Sequence, residues 1–284
     1  MTEPSAAPAL RRRELAHALR QLREDTGLRA TEVTSQLGFS PSKLSRIETG
    51  NRPIGLDDLQ RLCRLYQVDE AEYQRLAELA IASRQESRWR KLGEMDPVTV
   101  EFADLEDAAT SIKDYKTSVI TGLLQTPAYT SALMRGFQPH LPEYEIRDRV
   151  RARALRQEIV LARTDRQLEF VLDEAAIRRV VGGAQVMREQ LLHLIELSRE
   201  SMVSIRVVPF SAGVHPGMDS LFTILSFAEE VRDIVYVDSL AGIVTRSETA
   251  EIQRYRAAFS RIDSLALTAS DTRLLLTRAA HEMN

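Results

Sequence analysis

The sequence contains one cysteine and no long apolar run, and each shortage excludes a class of protein. A single thiol, Cys63, allows neither an intramolecular disulfide nor a zinc site built from several cysteines. Its neighbours Leu59, Leu62 and Tyr66 indicate a buried thiol with a packing role. No apolar segment approaches the roughly 18 residues of a membrane span, and the first residues lack the basic and apolar regions of a signal peptide. We therefore expect a cytoplasmic protein without a membrane contact.

Known catalytic motifs are missing as well. The chain has no G-x-S-x-G, Walker, H-E-x-x-H or dinucleotide-binding glycine pattern. Its five histidines are scattered without metal-ligand spacing, at positions 17, 140, 193, 215 and 281. We expect no enzyme activity, no cofactor and no bound metal. An enzyme of an unfamiliar kind would need carboxylates or histidines clustered in a cleft.

The size and charge of the chain favour two folded domains with different tasks. The 284 residues are 44% hydrophobic, which is enough to bury ordinary cores. The formal net charge is -3, yet residues 1–56 carry nine Lys/Arg against six Asp/Glu. A locally basic end on an acidic body fits one nucleic acid-binding face attached to something else.

Composition and hydrophobic periodicity divide the chain into four segments. Residues 1–8 are predicted to form a disordered tail, and residues 9–82 an all-α domain of five short helices. Residues 83–98 are polar and are predicted to be a linker, although Trp89 within them could dock on either domain. Residues 99–284 are predicted to form a mixed α/β domain with a small sheet. Its predicted helices lie near 100–115, 127–136, 143–163, 174–181, 184–199 and 247–261, and its predicted strands at 168–172, 203–210, 221–227 and 233–239.

The segment LGFSPSKLSRIETGNRP (37–53) holds the most informative short helix. Ser40 followed by Pro41 is typical of a helix start, and Gly50 with Pro53 marks its end. A rotation of about 100° per residue turns Leu44, Ile47 and Glu48 towards the domain. The opposite face then carries Ser42, Ser45, Arg46 and Thr49, with Lys43 on its flank. Short polar side chains around one arginine allow a close approach to base edges, and arginine suits guanine.

Residues 10–80 resemble the five-helix DNA-binding domain of phage-repressor type, the xenobiotic-response-element family of helix-turn-helix regulators. The resemblance is carried by the segment LREDTGLRATEVTSQLGFSPSKLSRIETGNRPIGLDDLQRLCRLYQV, with a helix, a glycine-containing turn and a second helix at helix-turn-helix spacing. A helical bundle without a DNA role is the alternative. The resemblance implies double-stranded DNA as partner and a homodimer that reads palindromes.

The resemblance also implies roles for individual residues. Contact with base edges is implied for Pro41, Ser42, Ser45 and Arg46. Contact with phosphates, which positions the protein without specifying sequence, is implied for Arg29, Lys43, Thr49, Asn51 and Arg52. The family pattern further implies a structural ion pair between Arg23 and Glu48. Many family members begin the second helix with Thr-Gln, whereas this chain has Arg29 and Ala30 there, so its operator cannot be inferred from other members.

The larger half resembles the domain of unknown function that follows this DNA-binding domain in many actinobacterial regulators. The resemblance rests on the segments 119–134, 149–157, 170–183, 186–198, 207–227 and 234–238. It implies a possible protein partner, since such regulators are often encoded beside a small protein and the pair has been compared to antitoxin and toxin.

Two features of this half are candidates for a ligand or partner site. Arg149, Arg153 and Arg156 share a face if residues 143–163 are helical. A solvated or salt-bridged helix, an anionic ligand or partner, and additional DNA contact all remain open for them. His215 lies in the Gly/Pro-rich loop 209–218, which is predicted to be either a wide hairpin connection or the lip of a ligand or partner site.

Together these features predict a sequence-specific DNA-binding transcriptional regulator. Its C-terminal domain is predicted to sense a partner protein or a ligand. The alternative is an antitoxin-like interaction protein that neutralises a small partner, encoded nearby, and autoregulates its own operon. An apolar surface on the C-terminal domain would favour the alternative, and a closed pocket with convergent polar groups would favour a ligand sensor.

Overall fold

The computed structural model describes residues 7–92, 97–228, 231–239 and 242–283. The chain forms two compact units, Met1–Ala108 with Phe227–Arg232 and Ala109–Ser226 with Asp233–Asn284. The predicted fold class is confirmed, because helices make up the first unit and a mixed sheet with helices makes up the second. The predicted domain boundaries stay predictions, and residues 1–6 of the predicted tail and 93–96 of the predicted linker lie outside the described residues.

The described part of the first unit is helical. Its elements are α1 (Pro8–Asp25), α2 (Ala30–Leu37), α3 (Pro41–Glu48), α4 (Leu56–Leu65), α5 (Glu70–Ala82), a 3-10 helix (Arg88–Leu92) and α6 (Pro97–Ala108). Glycines with left-handed backbone angles stop two of these helices, Gly27 after α1 (φ 71°) and Gly38 after α2 (φ 64°). Asp69 begins α5 by accepting a hydrogen bond from the backbone N–H of Glu72 at 2.8 Å.

One apolar core joins the first five helices. It includes Leu15, Leu19, Val33, Leu44, Ile47, Leu59, Leu62, Cys63, Leu76 and Ala80. The predicted burial of Cys63 is confirmed, and that burial raises the pKa of its thiol to about 11. The thiol is therefore protonated at neutral pH and serves as a small core residue.

The segment after α5 packs instead of extending freely. Ser87 and Trp89 are buried, and the Ser87 hydroxyl donates to the Asp104 carboxylate of α6 at 2.8 Å. The Arg88 guanidinium pairs with the Asp107 carboxylate, also on α6. Helix α6 in turn packs against α1. Residues 87–89 of the predicted linker are thus held to folded structure.

A buried carboxylate in this region makes stability depend on pH. Burial raises the pKa of Asp104 to about 6, although Ser87 and the backbone of Ala9 bond to it. Because the folded chain holds this proton more tightly than the unfolded chain does, the free energy of unfolding falls as pH rises from about 4 to about 6. We expect Asp104→Asn to raise the free energy of unfolding by about 1–2 kcal/mol at about pH 7.5 and to change it little at about pH 4. Urea unfolding at both pH values measures this, and a variant no more stable than wild type at the higher pH would contradict it.

The second unit is built on a six-stranded mixed sheet. Its strands are β1 (Ser111–Lys116), β2 (Gln167–Asp173), β3 (Val203–Val208), β4 (Phe222–Ser226), β5 (Ile234–Ser239) and β6 (Gly242–Arg246), in the spatial order β3-β2-β1-β4-β5-β6. Strands β1, β2 and β3 are parallel, and β4, β5 and β6 continue the sheet in antiparallel pairs. Its helices are α7 (Pro127–Phe137), α8 (Glu143–Leu161), α9 (Glu174–Arg178), α10 (Ala184–Leu197), α11 (Thr249–Leu265) and α12 (Ala269–Glu282).

Helix α11 covers one face of this sheet. Its residues Ile252, Phe259 and Ile262 are buried against alternate residues of the strands, among them Tyr115, Val171, Phe222, Ile224 and Val235. This alternation is the expected period of a strand with one face on a core. Helix α12 packs against α10 and along β3, where Leu267 donates to the Val207 carbonyl and Thr272 accepts from the Val207 N–H.

The prediction of a helix over 100–115 is wrong in its second half, where the structure has strand β1. This strand carries charged side chains that neighbouring strands satisfy. The Asp114 carboxylate accepts from the Thr223 hydroxyl of β4 at 2.8 Å, and the Lys116 ammonium donates to the Asp238 carboxylate of β5 at 2.7 Å. These partners lie more than a hundred residues away in sequence, so tertiary contacts decide the local conformation.

Candidate nucleic-acid interface

Helix α3 is fixed at both ends by the residues that the sequence indicated. The Ser40 hydroxyl accepts from the backbone N–H of Lys43 at 3.1 Å, and Pro41 is the first helical residue. Gly50 follows the helix with φ 72°, where a Cβ would lie 3.2 Å from Cγ of Arg13. A side chain there would combine backbone strain with crowding against α1. The ends of α3 are thus set by local chemistry.

The buried and exposed faces of α3 separate the core residues from the predicted base readers. Leu44 and Ile47 are buried in the core of the first unit. The four residues predicted to contact base edges are all exposed, and they are Pro41, Ser42, Ser45 and Arg46. The Arg46 Nε donates to the Ser42 carbonyl at 3.1 Å, which lays the guanidinium back along the helix. One face of α3 therefore presents two hydroxyls and a guanidinium to solvent.

Four of the five residues predicted to contact phosphates, all except Lys43, lie before α2 or at the end of α3 and directly after it. Arg29 precedes α2, is exposed, and pairs with Glu32 at 2.9 Å. This contact raises the pKa of Arg29 and lowers that of Glu32. Asn51 and Arg52 are exposed directly after α3. The Thr49 hydroxyl donates to the Ser45 carbonyl at 2.8 Å and so is engaged within the helix.

Lys43 has partners that the sequence did not reveal. Its ammonium lies 2.7 Å from the Asp58 carboxylate and 3.8 Å from the centre of the Phe39 ring. Arg61 of α4 also stacks near this ring and donates to the Leu37 carbonyl at the end of α2. No sequence pattern signalled these contacts, because Asp58 belongs to a different helix from Lys43.

The predicted partners Arg23 and Glu48 lie in direct contact. The Arg23 Nε and Nη2 atoms donate to the two Glu48 carboxylate oxygens at 2.8 and 3.1 Å. A third bond joins Arg23 Nη1 to the Leu28 carbonyl at 3.0 Å. The hydrogen bonds that Arg23 donates to Glu48 raise the pKa of Arg23, and burial raises the pKa of Tyr66 nearby. This bidentate pair fixes the orientation of α3 relative to α1.

The candidate arginines of the second unit lie along α8. The Arg149 guanidinium donates to the Gln138 side chain at 2.7 Å, and the Arg153 guanidinium donates to that of Gln125. Arg156 lies beside Gly122, where a Cβ would meet its Nη2 at 2.8 Å. Arg153 and Arg156 thus converge on the segment 122–125, and the hydrogen bonds of Arg149 and Arg153 go to neutral glutamine side chains.

His215 contacts a different set of residues. It is buried, its Nε2 lies 3.5 Å from the Asp173 carboxylate at the end of β2, and its Nδ1 accepts from the Gly217 N–H at 3.3 Å. Its ring meets that of Tyr115 edge-on at 6.1 Å. His215 thereby anchors the loop 209–218 to the ends of β1 and β2.

The hairpin interpretation of the loop 209–218 is wrong. The loop joins β3 to β4, and β2 and β1 lie between these two strands in the sheet. The loop must therefore cross β2 and β1 to reach β4, which a hairpin connection does not do. Three apolar side chains of the loop, those of Phe210, Val214 and Met218, are exposed beside the buried anchor.

The described ranges contain neither a membrane span nor a metal-binding cluster. No helix there is long and apolar enough to cross a membrane. Within the same residues, no group of three or more His, Cys, Asp or Glu side chains is arranged to hold a metal ion. The exposed face of α3 and its flanks are thus the strongest candidate site.

Comparison with protein families agrees with this geometry. Residues 14–76 match the family model described as a helix-turn-helix domain, and such a domain suggests a DNA-binding regulator. Residues 99–278 match a second model, described as a domain of unknown function (DUF5753). This match covers more than half of the chain, and the protein belongs to that family. No curated protein and no solved structure matches the chain.

Proposed function

We propose that the protein is a sequence-specific transcriptional regulator that inserts α3 into the major groove of duplex DNA. The observation that carries this proposal is the outward face of α3, which exposes Ser42, Ser45 and Arg46 while Leu44 and Ile47 hold the helix in the core. An α-helix fits the major groove, where each base pair presents a distinct pattern of donors and acceptors.

Arg46 is the residue to which we assign the main base contact. Its guanidinium can form two parallel hydrogen bonds with guanine O6 and N7. Exposed cations after α3, such as Arg52, and Arg29 before α2 would contact phosphates on either side. Two copies reading two half-sites about one helical turn apart would follow the common arrangement of this class.

Selection of bound sequences from random duplex DNA tests the function, and Arg46→Ala tests the base contact. We expect this variant to lose about 1–3 kcal/mol of binding free energy on the selected sequence and to relax specificity at one base position. Arg75→Ala is a matched control, because it removes one exposed arginine that pairs with Glu72 on α5. Equal weakening of Arg46→Ala on selected and random DNA would contradict base reading. The spacing of half-sites in the selected sequences tests the dimer.

For the second unit we propose a contact role towards a partner protein or a ligand. The exposed apolar side chains of Phe210, Val214 and Met218 support a partner surface, since apolar groups gathered on one ordered loop are typical of contact sites. In the same loop, His215 is buried and contacts Asp173 and Gly217. The antitoxin-like alternative would use the same loop.

A further inference from the structure

Lys43, on the flank of α3, forms an ion pair with Asp58 of α4. Lys43 and Asp58 are both half-buried, and their charged atoms are 2.7 Å apart. The same ammonium lies 3.8 Å from the centre of the Phe39 ring, a favourable cation–π distance. A second cation, Arg61, lies 3.7 Å from the same carboxylate. Asp58 therefore contacts two cations, both of which lie over the Phe39 ring.

This arrangement sets Asp58 in competition with a DNA phosphate. A phosphate oxygen can bind Lys43 only if the ammonium gives up a carboxylate that it already contacts. The charge of Asp58 also repels the phosphate backbone at close range. The hydroxyls of Ser42 and Ser45, which face outward on α3, are not involved in this contact and stay available to base edges.

We infer that Asp58 is a positioning residue that holds Lys43 away from DNA phosphates and weakens binding to duplexes of any sequence. The inference rests on the proposed function, because it assumes that α3 faces DNA. The consequence is a higher selectivity for the specific sequence over random duplex DNA. Sequence-independent affinity arises from phosphate contacts, which Asp58 weakens, while the base contacts remain unchanged.

The experiment compares Asp58→Asn with Asp57→Asn on random duplex DNA over a series of salt concentrations. Both aspartates lie in the first turn of α4, so each variant removes one negative charge from the same end of one helix. Only Asp58→Asn releases Lys43. We expect it to bind random duplex about two- to fivefold more tightly than Asp57→Asn does. We also expect the plot of log K against log salt to steepen by about 0.9, the value for one additional phosphate contact.

A Lys43→Ala background provides the decisive control. There the two asparagine variants should bind equally, because no ammonium remains to be released and Arg61 keeps its bond to the Leu37 carbonyl. Equal binding in the wild-type background, or a difference that persists without Lys43, would overturn the inference. Asp58→Ser supplies the same comparison if the asparagine variant does not fold. A wild-type chain that binds no duplex DNA would refute the proposed function itself, whereas binding with no difference between the variants would refute only the role of Asp58.

Discussion

Replacing Trp89 by alanine is expected to lower the free energy of unfolding by about 3–5 kcal/mol, the usual cost of removing a large aromatic side chain from a core. Its side chain is 1% exposed. Its backbone N–H donates to the Ser87 hydroxyl at 3.2 Å, and that hydroxyl donates to Asp104. The expected decrease in the free energy of unfolding therefore comes from removing a packed indole, because hydrogen bonds hold the backbone around it in place. Urea unfolding followed by far-UV circular dichroism measures it.

Arg88→Ala is the matched control for this prediction. It truncates the adjacent side chain, which is exposed and pairs with Asp107. Exposed ion pairs contribute about 0–1 kcal/mol, so we expect a much smaller loss than that of Trp89→Ala. Fluorescence gives an independent readout, because Trp89 is the only tryptophan. A wild-type emission maximum typical of water-exposed indole, or a Trp89→Ala variant as stable as Arg88→Ala, would contradict the packed arrangement.

The burial of Trp89 shows that a polar segment can still be anchored to folded structure. Residues 83–98 are rich in charged and polar side chains, which is typical of a linker. The decisive contacts, Ser87 with Asp104 and Arg88 with Asp107, join residues that are 17 and 19 positions apart. Hydrophobic periodicity cannot predict the burial of a single indole that lies in an otherwise polar segment.

The helices of the helix-turn-helix were predictable because their signals are local. Ser40 and Pro41 begin α3, and glycines with left-handed backbone angles follow α2 and α3. Each of these signals acts through a contact or a backbone angle within a few residues. Strand β1 was not predictable, since Asp114 and Lys116 depend on partners in β4 and β5. Neither β6 nor α12 was predicted, although the buried residues of α12 (Thr272, Leu276, Ala279 and Ala280) do follow helical spacing.

The residues of the candidate site also divide into those that local sequence predicts and those whose surroundings depend on distant contacts. The exposure of Ser42, Ser45 and Arg46 follows from helical rotation alone, and the structure places them as that rotation requires. The environment of Lys43 does not follow from it, because Asp58 approaches from another helix. Likewise, the crossing of the loop 209–218 depends on strand order, which pairs β4 with β1 and leaves β3 at the far side of β2.

Glu48→Ala is expected to lower the free energy of unfolding by about 2–3 kcal/mol, because the largely buried Arg23 guanidinium loses both hydrogen bonds to Glu48 and keeps only a more distant carboxylate, that of Glu24, 3.7 Å away. The side chains of Arg23 and Glu48 are 13% and 9% exposed and share two hydrogen bonds. Glu48→Gln, which keeps one acceptor but removes the charge, should lose less. Affinity for DNA should fall in both variants, since this pair sets the orientation of α3.

The matched comparison is the pair Arg135–Glu143, which has the same two-bond geometry at 2.8 and 3.0 Å but side chains that are 54% and 57% exposed. Double-mutant cycles to alanine on both pairs separate the effect of burial from that of ion pairing itself. We expect a coupling energy of about 2–3 kcal/mol for Arg23–Glu48 and about 0.2–1 kcal/mol for Arg135–Glu143. Raised salt should weaken the second coupling far more than the first, because water and ions reach only the exposed pair. Equal couplings would mean that the orientation of α3 depends on core packing alone.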